Sequence, residues 1–155
     1  MRISIATVLM SAVLASCAKP DGVSGVRADA RPQEVITVVE NELLFFDPGS
    51  AQLTPTAISQ LDSYAPLLRT RFDRIEIYGH ADRAGSTADN LKLSRLRAEA
   101  VRDALIARGV PKDLFIIHAQ GEDDPLIPTA DRVTERQNRI VVIIPGALKQ
   151  ESAHP

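Results

Sequence analysis

A lone cysteine, Cys17, means that no disulfide can form within the chain, so any fold rests on its core. Long hydrophobic runs are also missing. A membrane-spanning helix needs ~20 apolar residues, and the one mainly apolar stretch, Ile3 to Leu14, falls short of that. Charge of one sign is scarce as well. The formal net charge is -2, and no stripe of Lys and Arg is dense enough to track a phosphate backbone, which argues against a nucleic-acid partner. No Gly-x-Ser-x-Gly elbow, phosphate-cradling glycine loop, internal repeat or low-complexity tract occurs. The three histidines are scattered. His80 and Asp82 have a two-residue spacing that a metal could use, but no further His or Cys converges on them, so neither a metal nor another cofactor is expected.

What is present begins at the N-terminus. Arg2 precedes the apolar stretch, which ends in Leu14-Ala15-Ser16-Cys17. A short apolar segment with a basic flank and small residues at its end reads as a signal peptide, here residues 1–16. The four residues are a lipobox, in which Cys17 is lipidated and becomes the first residue of the mature chain. The plainer alternative is ordinary cleavage at the small residues, with Cys17 incidental. Residues 17–33 carry scattered Pro, Gly, Ser, Asp and Arg with no apolar period and read as a solvated tether. Its reach is roughly 50 Å at most and roughly 20 to 25 Å on average. The remainder suits one globular domain, expected over 34–147, followed by a polar tail over 148–155 that contains His154.

Within that domain strand-like and helix-like segments alternate. Val35, Ile36, Val38 and Val39 lead into Leu43, Leu44, Phe45 and Phe46, a strand pattern stopped by Asp47-Pro48-Gly49-Ser50. Thr54-Pro55 then supplies a cap and a first-turn proline for a helix to about Arg69, with a kink or early end expected at Pro66. Arg74 to Gly79 alternates as a second strand, and Ala81 to Gly85 connects it to a second helix opened by Ser86-x-x-Asp89. Leu93, Leu96, Ala100, Val101, Ala104 and Leu105 mark that helix's apolar face until Gly109 and Pro111. Leu114 to Ile117 starts a third strand ending near Gly121, with His118 packed at its end, and Ile140 to Ile144 makes a fourth. A short helix is expected between Asp131 and Gln137, with Arg132 to Arg139 forming its solvated face and Asn138 and Arg139 bordering the site. The fold class is an α/β two-layer sandwich, a small four-stranded mixed sheet with helices packed on one face.

Arg97 breaks this pattern in an informative way. It lies four residues after Leu93 and four before Val101, inside the apolar stripe, so its guanidinium is at least partly desolvated. Such a charge is costly unless an anion pairs with it, and its planar fork suits a carboxylate held through two parallel hydrogen bonds. Asn90 and Ser94 project from the same side, and Asp82 arrives from the preceding loop. Opposite charges on rigid elements can hold a zwitterion, Asp82 taking an ammonium and Arg97 a carboxylate. Alternatively, Asp82 and Arg97 pair with each other and pin the loop to the helix.

Gly79-His80-Ala81-Asp82-Arg83-Ala84-Gly85 followed by Asn90-Leu91-Lys92-Leu93-Ser94-Arg95-Leu96-Arg97-Ala98 resembles the signature of OmpA-like peptidoglycan-binding domains. Phe46-Asp47, Ser50 to Pro55, Gly121-Glu122, Pro125 and Gln137-Asn138-Arg139 extend the resemblance over about Leu43 to Val142. The resemblance implies the OmpA-like fold and a non-enzymatic role. It also implies that Asp82 and Arg97 bind the zwitterionic end of the meso-diaminopimelate side chain in a peptidoglycan stem peptide. The same match places Phe46, Asp47, Asn90, Leu93, Ser94, Asn138 and Arg139 around the ligand. Ala81 replaces a usual Thr, Asp89 a common aromatic, Ile140 a second Arg, and Pro48-Gly49 a frequent Phe-Asp pair.

Combined with the lipobox, the resemblance implies a lipid-anchored protein of the Gram-negative outer membrane, its domain facing the periplasm and clipping that membrane to the cell wall. The competing reading keeps the fold but makes a periplasmic protein the main partner, as in Tol-Pal-like envelope complexes, and a third would use His80 and Asp82 in wall hydrolysis. Replacing Cys17 tests the anchor. Cys17→Ser should leave unprocessed or soluble periplasmic protein, whereas a variant that keeps outer-membrane fractionation and the wild-type acyl mass would overturn the assignment.

Overall fold

A computed structural model describes residues 41–148. The signal peptide, Cys17, the tether, the Val35 to Val39 run and His154 lie outside the described residues. In chain order the elements are β1 (Glu42–Phe45), α1 (Pro55–Arg71), β2 (Ile75–His80), α2 (Thr87–Ala107), a 3-10 turn (Lys112–Leu114), β3 (Phe115–Gly121), a second 3-10 turn (Arg136–Asn138) and β4 (Ile140–Pro145). The four strands form one mixed sheet in the order β1-β4-β2-β3. Strand β4 runs antiparallel to both β1 and β2, and β2 runs parallel to β3. The expected sandwich is present.

Alternation explains which face is covered. Leu44, Ile75, Ile77, Val141 and Ile143 are fully buried and meet Ala57, Leu61, Ala65 and Leu68 of α1 and Ala98, Val101 and Leu105 of α2. Each large aliphatic side chain buried in this way contributes about 1.5–3 kcal/mol. The opposite face of β2 and β3 carries Glu76, Tyr78 and His118. His118 stacks on Tyr78 with ring centroids 4.3 Å apart, its Nε2 3.3 Å from Glu76 Oε2, and Tyr78 donates to the same carboxylate at 2.5 Å. That hydrogen bond is the main reason the Glu76 carboxyl lies below its usual range.

Helix termini follow local chemistry. Thr54 Oγ1 accepts from Ala57 N–H at 3.1 Å, and Ser86 Oγ accepts from Asp89 N–H at the same distance. At the end of α2 the Val110 N–H reaches Leu105 O and the Gly109 N–H reaches Ile106 O, a Schellman closure that Gly109 permits at φ +84°. Helix α1 does not stop early at Pro66. The proline and Asp62, whose carbonyl it leaves without a helical partner, both lie on the exposed side, while Ala65 and Leu68 hold the two flanking turns against the core. The helix expected between Asp131 and Gln137 shrinks to the single turn Arg136–Asn138, and Arg132 adopts φ +63° outside it. Leu148, placed with the polar tail, forms an antiparallel bridge with Phe72.

The apolar face of α2 is rotated from the expected one. Its buried positions are Asn90, Ser94, Arg97, Ala98, Val101 and Leu105, whereas Leu96 is 44% exposed and Leu93 half-buried. Polar residues thus occupy the inward side of its first half. Gly79 makes this possible, because a Cβ there would collide with the Ser94 carbonyl. Gly79→Ala is therefore expected to cost at least ~3 kcal/mol, the upper end of ordinary overpacking, since backbone must move. Gly49→Ala meets no atom within 4 Å but must hold φ +64°, a cost of about 1–2 kcal/mol. Urea midpoints should fall in the order wild type, Gly49→Ala, Gly79→Ala; a Gly79→Ala midpoint at or above that of Gly49→Ala would contradict this packing.

Candidate functional site: a buried acid and two arginines beside the end of the second strand

The first half of α2, the loop after β2, the turn after β1 and Arg139, the residue before β4, converge on one polar cluster. Arg97 is its centre. The side chain is 0% exposed, and each nitrogen donates to a backbone carbonyl: Nε to Ser50 O at 2.8 Å, Nη1 to His80 O at 2.9 Å and Nη2 to Asp47 O at 3.0 Å. Its Cζ lies 5.3 Å from the centroid of the buried Phe46 ring, within cation–π range. Burial pushes the Arg97 pKa down to about 10, with Asp82 opposing that shift and Arg139 adding to it, so the group is charged at neutral pH.

Desolvation of Arg97 follows from its place in the helix stripe, but its acceptors are not a carboxylate. Carbonyl dipoles from the turn after β1 and from the end of β2 take that role. Nor does Asp82 form an ion pair with Arg97. Asp82, 5% exposed, pairs with Arg139 Nη1 at 3.0 Å and accepts from Glu135 N–H at 3.3 Å, both at Oδ2. Arg139 is itself 8% exposed and donates through Nε to Phe46 O, so the charged run, solvent-exposed at Arg132, Arg136 and Gln137, ends buried at Asn138 and Arg139. Fifty-seven residues separate Asp82 from Arg139, and no periodicity links them.

The other expected residues divide by task. Asn90 donates to Glu122 Oε2 at 2.6 Å, while Thr87 holds the other oxygen of that carboxylate at 3.0 Å. Ser94 donates to Leu91 O and accepts from Gly121 N–H at 2.9 Å, which locks α2 to the end of β3. Asn138 both donates to Ile127 O and accepts from Ile127 N–H, at 2.7 and 2.8 Å, bracing the 122–135 loop. Arg83 fixes the same loop through Asp131 at 2.8 Å. Phe46 is buried against Arg97, Asp47 is exposed, and Leu93 sits between these extremes. The scaffold roles of Arg139 and Glu122 carried no signal beyond their places in the matched motifs.

Positions that depart from the family pattern have structural uses. Ala81 is buried and offers Asp82 no hydroxyl, Asp89 accepts from the Ser86 hydroxyl at 2.6 Å, and Ile140 pairs with Phe45. His80 supplies its carbonyl to Arg97, and burial is the main influence lowering its imidazole pKa. Among the described residues no group of three His, Cys, Asp or Glu side chains is placed to hold a metal.

The OmpA family model matches residues 45–139, an interval that contains every element of this cluster. A peptidoglycan-associated lipoprotein of Rhizobium meliloti (strain 1021) is 32% identical over 148 residues, covering 89% of this chain and 84% of that protein. Outer membrane protein P5 of Haemophilus influenzae is 34% identical over 107 residues, 68% of this chain but 30% of the larger protein. Among solved structures, the peptidoglycan-associated lipoprotein from Burkholderia pseudomallei superposes with a TM-score of 0.60 at 30% identity, covering 66% of this chain and 87% of that one. A family match over more than half of the sequence and 32% identity across most of a relative's length show that the chain belongs to the OmpA family.

Proposed function

We propose that this protein is a lipid-anchored, non-catalytic module of the outer membrane that binds peptidoglycan non-covalently and so ties that membrane to the cell wall. The observation that carries this reading is the conjunction of near full-length similarity to a peptidoglycan-associated lipoprotein with a charged cluster lying wholly inside the matched family region. In the site, the stem peptide's diaminopimelate end supplies an ammonium and a carboxylate. Asp82 receives the ammonium at Oδ1, the oxygen that carries neither the Arg139 nor the Glu135 bond. Arg97 receives the carboxylate. A guanidinium has five N–H donors, and one from each nitrogen is already committed, leaving one on each terminal nitrogen as a two-pronged donor.

Access has a physical condition. Since Arg97 has no exposed surface, the ligand reaches it only as the turn after β1 or the 122–135 loop yields. Asn90 and Ser94 then act as positioning residues, one through Glu122 and the other through Gly121, while Phe46 and Arg139 hold the two charges in place. Asp47, exposed beside the cluster, and half-buried Leu93 border the entry, with Asn138 bracing the loop across from them.

Co-sedimentation with purified sacculi tests the reading. Pelleting without release of soluble wall fragments is expected; fragment release would indicate a hydrolase, and failure to pellet would remove the wall as ligand. Asp82→Asn is the informative variant, because Arg97→Ala strips donors from three buried carbonyls and lowers stability whatever its ligand role. Losing one partner of a desolvated charge pair costs about 2–5 kcal/mol, so Asp82→Asn should weaken sacculus binding at least ~tenfold while a thermal melt shows a folded domain. Wild-type pelleting by the folded variant would sink the site assignment.

A further inference from the structure

The two edges of the sheet are treated differently. On β1, four residues long, Glu42 lies within the strand and Gln60 of α1 donates to both the Glu42 carboxylate, at 2.6 Å, and the Leu43 carbonyl, at 3.3 Å. That edge is guarded. On the other side β3 runs for seven residues, Phe115-Ile116-Ile117-His118-Ala119-Gln120-Gly121, with β2 as its one strand neighbour among the described residues. It contains no proline, lysine or acid, and Ile116 is 42% exposed. Strand edges of this kind pair with other strands unless charge, proline or a covering element prevents it.

A groove of about 560 Å³ lies alongside, floored by Ile106, Phe115 and Ile117. Its walls carry three cations, Arg95, Arg102 and Lys112, and three acids, Glu99, Asp103 and Asp113. A peptide of one charge sign would meet repulsion along half of that wall. An antiparallel copy would not. Because α2 crosses between the parallel strands β2 and β3, it runs opposite to both, so a two-fold axis that pairs β3 with β3 also brings α2 antiparallel to its mate. Under that axis the acids of one groove, Glu99 among them, oppose the cations of the other, Arg102 among them, which also pairs with its own Asp103 at 2.7 Å. We propose that β3 and this groove form the interface of a two-fold symmetric homodimer whose two four-stranded sheets join into one.

The arrangement has a functional consequence. Asp82 follows β2 at the end of the sheet where β3 finishes, so antiparallel pairing of β3 with β3 sends the two charged clusters to opposite ends of the joined sheet. Two wall-binding sites in one body bind with the avidity of linked modules.

The full-length protein in its native envelope provides the test, with Cys17 as the background control. Single cysteines at Ile116, His118 and Gln120 scan the edge, and Ser63→Cys on exposed α1 serves as a remote control. The expected result is a disulfide-linked dimer at one or two of the β3 positions and none from Ser63→Cys or the parent. Added to the best cross-linking variant, Glu99→Arg should cut the dimer band about tenfold, and Glu99→Arg with Arg102→Glu should restore it. A thermal melt confirms that each charge variant is folded. Equal cross-linking at position 63, no cross-linking at any β3 position, cross-links to a different protein, or a folded double swap that stays monomeric would each overturn the proposal.

Discussion

The buried guanidinium of Arg97 is the interaction on which the site's geometry depends. Its three nitrogens gather carbonyls from the turn after β1, at Asp47 and Ser50, and from the end of β2, at His80. Segments that share no strand ladder at those points are thereby fixed to one helix. Charge-assisted bonds of this type contribute about 1.5–3 kcal/mol each, but desolvating the cation offsets much of that gain. The lowered Arg97 pKa records the same penalty. What the arrangement secures is position: a cation tied through all three nitrogens to the backbone of two segments.

Close approach of α2 to β2 is the prior condition. Gly79 lets the helix backbone descend at Ser94, and Ser94 then ties the Gly121 N–H to the same turn. Had the strand carried a side chain at that position, Arg97 would sit too far out to reach Asp47 and Ser50 together. The polar face of the first half of α2 is thus a consequence of close packing, while the second half, through Val101 and Leu105, buries ordinary aliphatic surface. One helix serves both as core and as the floor of the site.

Much of this was legible in the sequence because it is local. Caps at Thr54 and Ser86, the stop at Gly109 and the strand alternation from Ile75 to Gly79 depend on neighbours within a few residues, and the structure contains each. Arg97 at a core position was readable from the 3.6-residue period for the same reason. Its partners were not. Carbonyl acceptors come from the backbone, which is chemically the same at every residue, and the Asp82 to Arg139 pair is made by tertiary packing across 57 residues. Pro66 does not end the helix because the rule for proline describes a local cost, whereas the buried Ala65 and Leu68 on either side hold the helix together through contacts elsewhere. The rotated face of α2 has a similar origin: counting apolar residues selects Leu96, but the Gly79 and Ser94 approach turns that residue outward.

The division of labour between Asp82 and its neighbours bears on how such a site can remain charged without being quenched. If Asp82 and Arg97 bonded directly, each would satisfy the other and a zwitterion would have to break a buried ion pair before binding. Here the pairing is displaced by one residue in space. Arg139 neutralises Asp82 at one oxygen, and backbone dipoles, which carry no net charge, satisfy Arg97. The cluster therefore retains one uncompensated positive charge, while the second carboxylate oxygen of Asp82 stays clear of the Arg139 bond. On the proposed reading, a ligand carboxylate at Arg97 cancels that charge, and its ammonium adds to Asp82 without displacing Arg139. On the same reading, satisfaction by carbonyls in place of a counter-ion lets the folded cluster be stable and still favour an anion.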